Sequence, residues 1–257
     1  MNQLQKRIIT LQKKPKARRE ERAFVVEGRK LYEEIPRGRC ELTVVSESFV
    51  KAKGNESLLK GVKYEVVSDQ VFESMTDTKT PQGILAVVRR VDYTLDSLLR
   101  AGKGEPLLLL LEHLQDPGNL GTIFRAAEAA GVRGILLDED CVDVYNPKTI
   151  RGTMGAIFRV PFCIVPDPVK AAQELERRGI TCYAADLKAT HAYDEADLKK
   201  ASCFMIGNEA NGLSEALKAA AVERVIIPML GKGDSLNAAM AATILMFEAA
   251  RQRRKKD

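Results

Sequence analysis

Three short polar segments in the C-terminal half of the sequence combine residue types that can bind a ligand and act on it. They are Asn119–Arg125, Gly207–Leu213 and Ser235–Asn237, and together they offer amides, a carboxylate, a hydroxyl group and a guanidinium. Each follows an apolar run, has glycine in or just before it, and leads into a helical pattern. Ligands of open α/β sheets bind beyond the carboxyl ends of strands, so three such loops predict a shared pocket at one sheet edge.

Each segment also has a plainer interpretation, which the residues alone leave open. Asn119 can cap a helix on whose surface Arg125 lies. Ser235 and Asn237 stand at the start of another helix, where capping is their usual role. The Gly207–Leu213 segment has the composition of a turn. The sequence contains neither the spacing of a phosphate-binding P-loop nor a G-x-G-x-x-G dinucleotide fingerprint.

The elements around these segments alternate between strand and helix patterns. Leu107–Leu111 is a continuous apolar run of the kind found inside parallel sheets. After it, the patterns predict strands at Gly134–Leu137, Val160–Val165, Ile180–Ala184, Cys203–Ile206 and Arg224–Ile227, and helices at Leu120–Ala130, Val169–Arg178 and Ser235–Arg251. Such alternation predicts an α/β fold with a mostly parallel sheet covered by helices.

The first ninety residues form a separate α/β pattern. Apolar residues recur at helical spacing in Gln3–Lys13. Strands are predicted at Ala23–Val26, Leu42–Ser46, Tyr64–Val67 and Ile84–Val88. A charged stretch follows and ends in a glycine-rich turn, as linkers often do. The predicted organisation is a small domain at residues 1–92, a linker at 93–106 and a larger domain at 107–257.

Basic residues concentrate at the two ends of the chain. Residues 1–22 contain eight lysines and arginines, and the whole chain has a net charge of +5. Such clustering suits a polyanionic partner such as RNA, although solvated basic tails are the alternative. The residues predicted to contact RNA phosphates are Lys13, Lys14, Arg18, Arg19 and Arg22.

Cysteine content and hydropathy exclude several classes of protein. Five cysteines without a C-x-x-C pair predict neither a disulfide framework nor a zinc site, and they indicate a reducing compartment. The longest apolar run is too short to span a bilayer, and the N-terminus lacks the apolar core of a signal peptide. We therefore expect a cytoplasmic protein without membrane segments. Asp138–Asp140 is interpreted as a solvated turn, and no metal is expected.

In order and spacing, the three segments resemble the three sequence motifs of the SpoU (TrmH-like) family of RNA 2′-O-ribose methyltransferases, within the SPOUT superfamily. The matching stretches are Asn119-x-Gly121-x-x-x-Arg125, Gly207-Asn208-Glu209-x-x-Gly212-Leu213, and Ile227-Pro228-Met229 with Ser235-Leu236-Asn237. Arg18–Tyr32 is similar to the small, ribosomal-protein-like substrate-binding domain that many members carry. The resemblance covers nearly the whole chain.

The resemblance implies a C-terminal domain tied in a deep trefoil knot, which general chain-topology rules would not predict. It also implies S-adenosylmethionine as cofactor, contacted by backbone groups at Gly207, Ile227 and Leu236. Met229 and Leu230 would add to the apolar walls, which favour the loss of the sulfonium charge during methyl transfer. Members of the family are usually homodimers.

On the RNA side, the resemblance implies catalytic roles for Arg125, Asn119, Glu209, Ser235 and Asn237. Arginine is a poor base because its pKa exceeds about 12. We therefore expect Arg125 to clamp a phosphate and polarise the ribose hydroxyl. Asn119 and Asn237 would hold the ribose or the arginine. Glu209 would orient its loop or Arg125, and a role as the base is the alternative.

The predicted function is S-adenosylmethionine-dependent 2′-O-methylation of a ribose in RNA, and 23S ribosomal RNA is the favoured substrate because members with such an N-terminal domain commonly modify it. Methylation of tRNA is one alternative. A non-catalytic RNA-binding or ribosome-binding protein on the same scaffold is the other.

Overall fold

The structure is a computed structural model that describes residues 2–100, 102–208, 210–231, 233 and 235–254. Its contacts divide the chain into two compact units, Met1–Val91 with Asp143–Phe158, and Asp92–Val142 with Arg159–Asp257. Residues 143–158, which the sequence-based boundaries assign to the larger domain, therefore group with the N-terminal unit. The boundaries at 92 and 107 stay a prediction.

The N-terminal unit is built on a four-stranded mixed sheet. In the first ninety residues the helices are α1 (Gln3–Lys13), α2 (Pro15–Glu20), α3 (Arg29–Glu33), α4 (Glu47–Lys51), α5 (Glu56–Leu59) and α6 (Asp69–Ser74), and the strands are β1 (Ala23–Glu27), β2 (Cys40–Ser46), β3 (Tyr64–Val67) and β4 (Ile84–Arg89). The order is β1-β4-β2-β3, with β4 antiparallel to both neighbours and β3 parallel to β2. Ile8 and Leu11 of α1 pack against this sheet beside Val25 and Val44, which explains the apolar spacing in α1.

The C-terminal unit contains a seven-stranded sheet that is parallel throughout. From residue 92 onwards the helices are α7 (Leu95–Arg100), α8 (Pro117–Ala130), α9 (Pro147–Thr153), α10 (Pro168–Arg177), α11 (Glu215–Ala219) and α12 (Ala238–Arg253), and the strands are β5 (Leu107–Leu111), β6 (Gly134–Asp138), β7 (Phe162–Val165), β8 (Thr181–Ala185), β9 (His191–Ala192), β10 (Ser202–Ile206) and β11 (Glu223–Ile226). A short 3₁₀ helix spans Ala156–Phe158, and with α9 it belongs to the N-terminal unit. The sheet order is β7-β6-β5-β10-β8-β11-β9. The predicted α/β class with a parallel sheet is confirmed.

β5 lies in the interior of this sheet, and all five of its leucines are buried. Leu108 and Leu110 face a core that Leu98 of α7, Leu175 of α10 and Leu217 of α11 complete. Helix α12 packs on β10, the neighbour of β5, and it also packs against α8. A strand between two helical layers has no polar face, which is why β5 reads as an unbroken apolar run. Over the described part of the chain, none of the helices has the length and apolar character needed to cross a membrane.

Arg18, predicted to contact RNA, has a structural role within the N-terminal unit. Only 2% of this residue is exposed. Its guanidinium donates to the carbonyl oxygens of Leu11 (2.6 Å) and Gln12 (2.8 Å) at the end of α1, and it pairs with Asp143 Oδ2 at 2.6 Å. A guanidinium enclosed in this way cannot reach a phosphate, so the prediction is wrong for Arg18. The other four predicted contacts are exposed, namely Lys13, Lys14, Arg19 and Arg22.

Replacement of Arg18 by alanine should lower the free energy of unfolding by about 3 kcal/mol, because it leaves the Asp143 carboxylate and two helix-end carbonyls without their partner. The matched control is Arg19→Ala, which removes an exposed arginine from the same helix and should change stability by at most about 0.5 kcal/mol. Urea denaturation of both variants measures the difference. Equal stabilities would contradict the role given to Arg18.

Candidate functional site

A cavity of about 510 Å³ lies in the C-terminal unit beyond the carboxyl ends of β8, β10 and β11. It is lined by residues 185–188, 206–208, 210–213 and 225–227, by Met229, Ser235 and Leu236, and by parts of α11 and α12. β8 lies between β10 and β11 in the sheet, so the loops that follow the three strands meet at one edge. Its volume and its lining, in which apolar side chains alternate with a few polar ones, are typical of a small-molecule site.

The loop after β10 closes tightly on itself. Asn208 and Gly212 exchange backbone hydrogen bonds of 3.0 and 2.9 Å. Asn208 Oδ1 accepts further bonds from the backbone N–H groups of Ala210 (2.8 Å) and Asn211 (3.2 Å). A Cβ atom on Gly207 would overlap the backbone of Gly212. Glycine is therefore required at position 207 by close approach of the main chain, and at 212 by a φ of +67°.

Two residues directly after β5, the strand next to β10, form hydrogen bonds that hold the loop after β10 in place. The backbone carbonyl of His113 accepts a hydrogen bond from Asn208 Nδ2 at 2.8 Å. The buried carboxylate of Glu112 accepts from the N–H (2.6 Å) and the Oγ (2.7 Å) of Ser214, which caps α11. The end of β5 thus positions both sides of the loop after β10 without itself lining the cavity.

His113 has a left-handed backbone conformation, with φ at 55°. Its Nδ1 lies 2.7 Å from Oδ2 of the buried Asp138, which also accepts the His113 backbone N–H at 3.0 Å. Its Nε2 lies 3.2 Å from Asp140. Within the described ranges, these three side chains form the group whose ligand atoms lie close enough to share a metal ion. Because each ring nitrogen already faces a different carboxylate, we interpret the group as a hydrogen-bonded support for the end of β5.

Asn237 joins the first and third polar segments. As the N-cap of α12, its Oδ1 accepts from two N–H groups of the first turn at 2.9 and 3.2 Å, while its Nδ2 donates to Asn119 Oδ1 at 2.9 Å. The plainer interpretation, in which Asn119 caps α8, is wrong. The helix begins at Pro117 and is capped by Asp116, which accepts the Asn119 N–H at 2.7 Å. Proline is favoured at the first helical position, which moves the start towards the N-terminus.

The second and third segments meet at the cavity. The predicted cofactor contacts that line it are Gly207, Ile227, Met229 and Leu236. Ser235, predicted as catalytic, lines it as well. Leu230 does not fit its predicted role as an apolar wall, because its side chain is fully exposed to solvent. Glu209 lies outside the described residues.

The first segment does not line the cavity, although Asn119 contacts Asn237 beside it, so the structure brings two of the three predicted segments into the lining. Of the residues described, neither Asn119 nor Arg125 is part of the lining. The reason is strand order, since β5, which leads into α8, lies on the opposite side of β10 from β8 and β11.

Arg125 is exposed on α8. Over the described ranges its guanidinium makes no hydrogen bond or ion pair. It is therefore available to an anionic ligand such as a phosphate.

Asp186, which no sequence motif singled out, lines the cavity at the end of β8 and is only 8% exposed. Lys218 Nζ of α11 lies 3.7 Å from its Oδ1. The hydrogen bond from Lys218 to Glu215 raises the pKa of the ammonium group, and the charge of Asp186 adds to this, so Lys218 is a cation at neutral pH. The available signal was an acid two residues after a predicted strand, which alone is too common to single out a site.

Each of the two units matches the sequence model of a known protein family or domain. The sequence model of the SpoU rRNA methylase family matches residues 106–247. The model of the MRM3-like substrate binding domain matches residues 2–86. The chain is 32% identical over 234 residues to the 23S rRNA (guanosine(2553)-2′-O)-methyltransferase RlmP of Bacillus subtilis, covering 90% of each chain. It is 33% identical over 211 residues to a 23S rRNA (uridine(2479)-2′-O)-methyltransferase of Streptomyces viridochromogenes, covering 79% of this chain and 72% of the relative.

Solved structures resemble the fold over nearly the full length. The SpoU methyltransferase AviRb from Streptomyces viridochromogenes, in complex with the cofactor AdoMet, superimposes with a TM-score of 0.89 at 28% identity, covering 98% of each chain. An AdoMet-bound rRNA methyltransferase from Sinorhizobium meliloti gives a TM-score of 0.84 at 30% identity, covering 99% of this chain and 96% of that one.

Proposed function

Because the chain belongs to the SpoU rRNA methylase family, we propose that it methylates the 2′-hydroxyl of a ribose in RNA with S-adenosylmethionine as the methyl donor. The observation that carries the proposal is the cavity beyond β8, β10 and β11, which the tight loop after β10 lines. Glycines there let a ligand approach the main chain. Bound S-adenosylmethionine supplies a sulfonium methyl group.

The walls of the cavity suit this chemistry. Ile206, Ile227 and Leu236 contribute apolar side chains to the lining. Positive charge on sulfur is lost as the methyl group leaves, so a water-poor apolar site favours the transition state. In this proposal the backbone groups of Gly207, Ile227 and Leu236 hold the cofactor, and Ser235 closes the site at the approach to α12.

The acceptor side of the reaction belongs, in this proposal, to Arg125 and the Asn119–Asn237 pair. The exposed Arg125 guanidinium binds a phosphate of the RNA and polarises the 2′-hydroxyl, which holds the nucleophile in line for attack. Asn237 contacts Asn119, and it belongs to the segment that lines the cavity. The pair therefore connects the proposed cofactor cavity with α8, which carries Arg125. Glu209 is proposed to orient its loop.

We propose 23S ribosomal RNA as the substrate and the cytoplasm as the location. The relatives named above act on 23S rRNA. The N-terminal unit matches a substrate-binding domain and exposes basic residues at Lys13, Lys14 and Arg19. Contacts between such residues and phosphates supply affinity and orientation without reading bases.

The triple replacement of Lys13, Lys14 and Arg19 by alanine should weaken RNA binding and reduce its salt dependence. Each lost phosphate contact lowers the slope of log affinity against log salt by about 0.7 to 0.9, so the triple variant should lose about two units. Titration of a labelled rRNA fragment at several salt concentrations measures the slope. An unchanged slope would show that these three residues do not contact RNA phosphates. The control is replacement of Lys170, an exposed lysine of α10, by alanine.

We also propose that the chain forms a homodimer through α12 and that its C-terminal unit is knotted, as the family resemblance implies. In support of the dimer, Met240 and Phe247 leave 54% and 46% of their surface exposed and lie seven residues apart on α12. Leu245 of the same helix is buried in the core. The mass in solution at micromolar concentration tests the dimer.

The proposed function is tested by mapping 2′-O-methyl groups in RNA from cells with and without the gene. One or more ribose methyl groups of 23S rRNA should be lost without it, and the purified protein should restore them when S-adenosylmethionine is added. Identical maps, together with no calorimetric binding of S-adenosylhomocysteine, would overturn the proposal.

A further inference from the structure

Asp186 is part of the cavity lining, and over the described residues one of its two carboxylate oxygens has no hydrogen-bond partner. Its Oδ1 accepts the backbone N–H of Lys188 at 3.1 Å. Its Oδ2 is buried and, over the described residues, accepts no hydrogen bond. Buried polar atoms in folded proteins almost always have partners, so an oxygen left over at a cavity marks the place where a bound ligand donates.

Two cations already balance the charge of this carboxylate. Arg224 lies 3.6 Å from Oδ2 and Lys218 lies 3.7 Å from Oδ1. Both distances are too long for hydrogen bonds. Glu215 accepts a hydrogen bond from Lys218 at 2.8 Å, so the four side chains together are neutral. A further cation therefore gains little at Oδ2, whereas a neutral hydroxyl donor supplies the missing hydrogen bond.

S-adenosylmethionine has three kinds of donor: the adenine amino group, the α-ammonium group and the two ribose hydroxyls. Charge balance disfavours the ammonium. A carboxylate that follows a parallel strand is the group that accepts from ribose hydroxyls in other α/β nucleotide sites. We propose that Asp186 anchors the cofactor by accepting a hydrogen bond from its ribose hydroxyls, an inference that rests on the proposed function.

The first experiment uses the wild-type chain and does not depend on any variant folding. Calorimetry compares 5′-methylthioadenosine, which keeps the ribose but lacks the amino acid part, with its 2′,3′-dideoxy analogue. Loss of hydrogen bonds to a charged acceptor should weaken binding of the analogue by about tenfold to a hundredfold. Equal affinities would overturn the inference.

The second experiment assigns this loss to Asp186. In Asp186→Asn, S-adenosylhomocysteine and 5′-methylthioadenosine should both bind about tenfold to a hundredfold more weakly. The dideoxy analogue should lose little, because the contact it lacks is already gone. Asp194→Asn, at an exposed aspartate outside the lining, is the matched control and should bind all three ligands as the wild type does.

The outcomes separate this inference from the proposed function. If Asp186→Asn weakens S-adenosylhomocysteine but not 5′-methylthioadenosine, the carboxylate binds the ammonium group and the inference is overturned. If the variant binds every ligand like the wild type, Asp186 makes no cofactor contact, while the proposed function stands. If the wild type binds none of the ligands, both are overturned.

Discussion

Arg125→Ala should slow methyl transfer in a single turnover by about a hundredfold to a thousandfold, the loss seen when one preorganised electrostatic contact to a transition state is removed. The affinity for S-adenosylhomocysteine should stay within about twofold of the wild type. Arg125 lies outside the proposed cofactor site, so its loss should remove an interaction with the transition state and leave ground-state binding of the cofactor unchanged. Arg125 is exposed on α8 and is not part of the cavity lining. Rapid-quench assays with saturating RNA and calorimetry give the two values.

The control for Arg125 is Arg177→Ala, which removes an exposed arginine of α10 outside the cavity lining. This variant should match the wild type in rate and affinity. Arg125→Lys is a poor substitute for the alanine variant, because it keeps a cation and does not separate a clamp from a base. A wild-type rate of chemistry in Arg125→Ala with RNA fully bound would refute the assigned role.

Gly207→Ala should weaken binding of S-adenosylhomocysteine by about tenfold to a hundredfold, the equivalent of the roughly 1–3 kcal/mol that overpacking costs. The added methyl group would overlap the backbone of Gly212 and Leu213, so the loop after β10 would have to open. Opening breaks the two backbone bonds between Asn208 and Gly212 and moves the lining of the cavity.

Gly231→Ala is the matched control for the loop, because a Cβ at that glycine meets no atom of the described residues within 4 Å. Its affinity for S-adenosylhomocysteine should equal that of the wild type. Calorimetry measures binding, and thermal melting of each variant separates a local loop defect from unfolding of the unit. Wild-type affinity in Gly207→Ala would mean that the tight closure of the loop is not needed for the ligand.

Local patterns predicted well those elements whose burial follows from the sequence itself. The predicted bounds of the first helix, Gln3–Lys13, and of the first strand of the parallel sheet, Leu107–Leu111, agree with the structure. The spacing of their apolar residues indicates which faces of the element are buried, and it does so without knowledge of the elements that pack against them. The order of the three polar segments was likewise visible in the sequence, and the family match is consistent with it.

Single side chains were predicted less well, because their surroundings come from distant parts of the chain. Arg18 looked like one member of a basic cluster, but its partner Asp143 lies 125 residues away. Leu230 looked like part of an apolar wall, yet it lies in a loop that exposes it fully. Hydropathy does not indicate which way a loop residue points.

By itself, the sequence determined that this protein has an α/β fold with three polar loops after buried strands, and it indicated the family to which those loops belong. Only the tertiary structure decided which loops share a cavity. Strand order brings the loops after β8, β10 and β11 together and puts the start of α8 on the far side of β10. Hydrogen bonds between residues about a hundred apart, such as Asn208 to His113 and Asn237 to Asn119, then connect the two sides. Chain crossovers set that order, and no local pattern of residues records it.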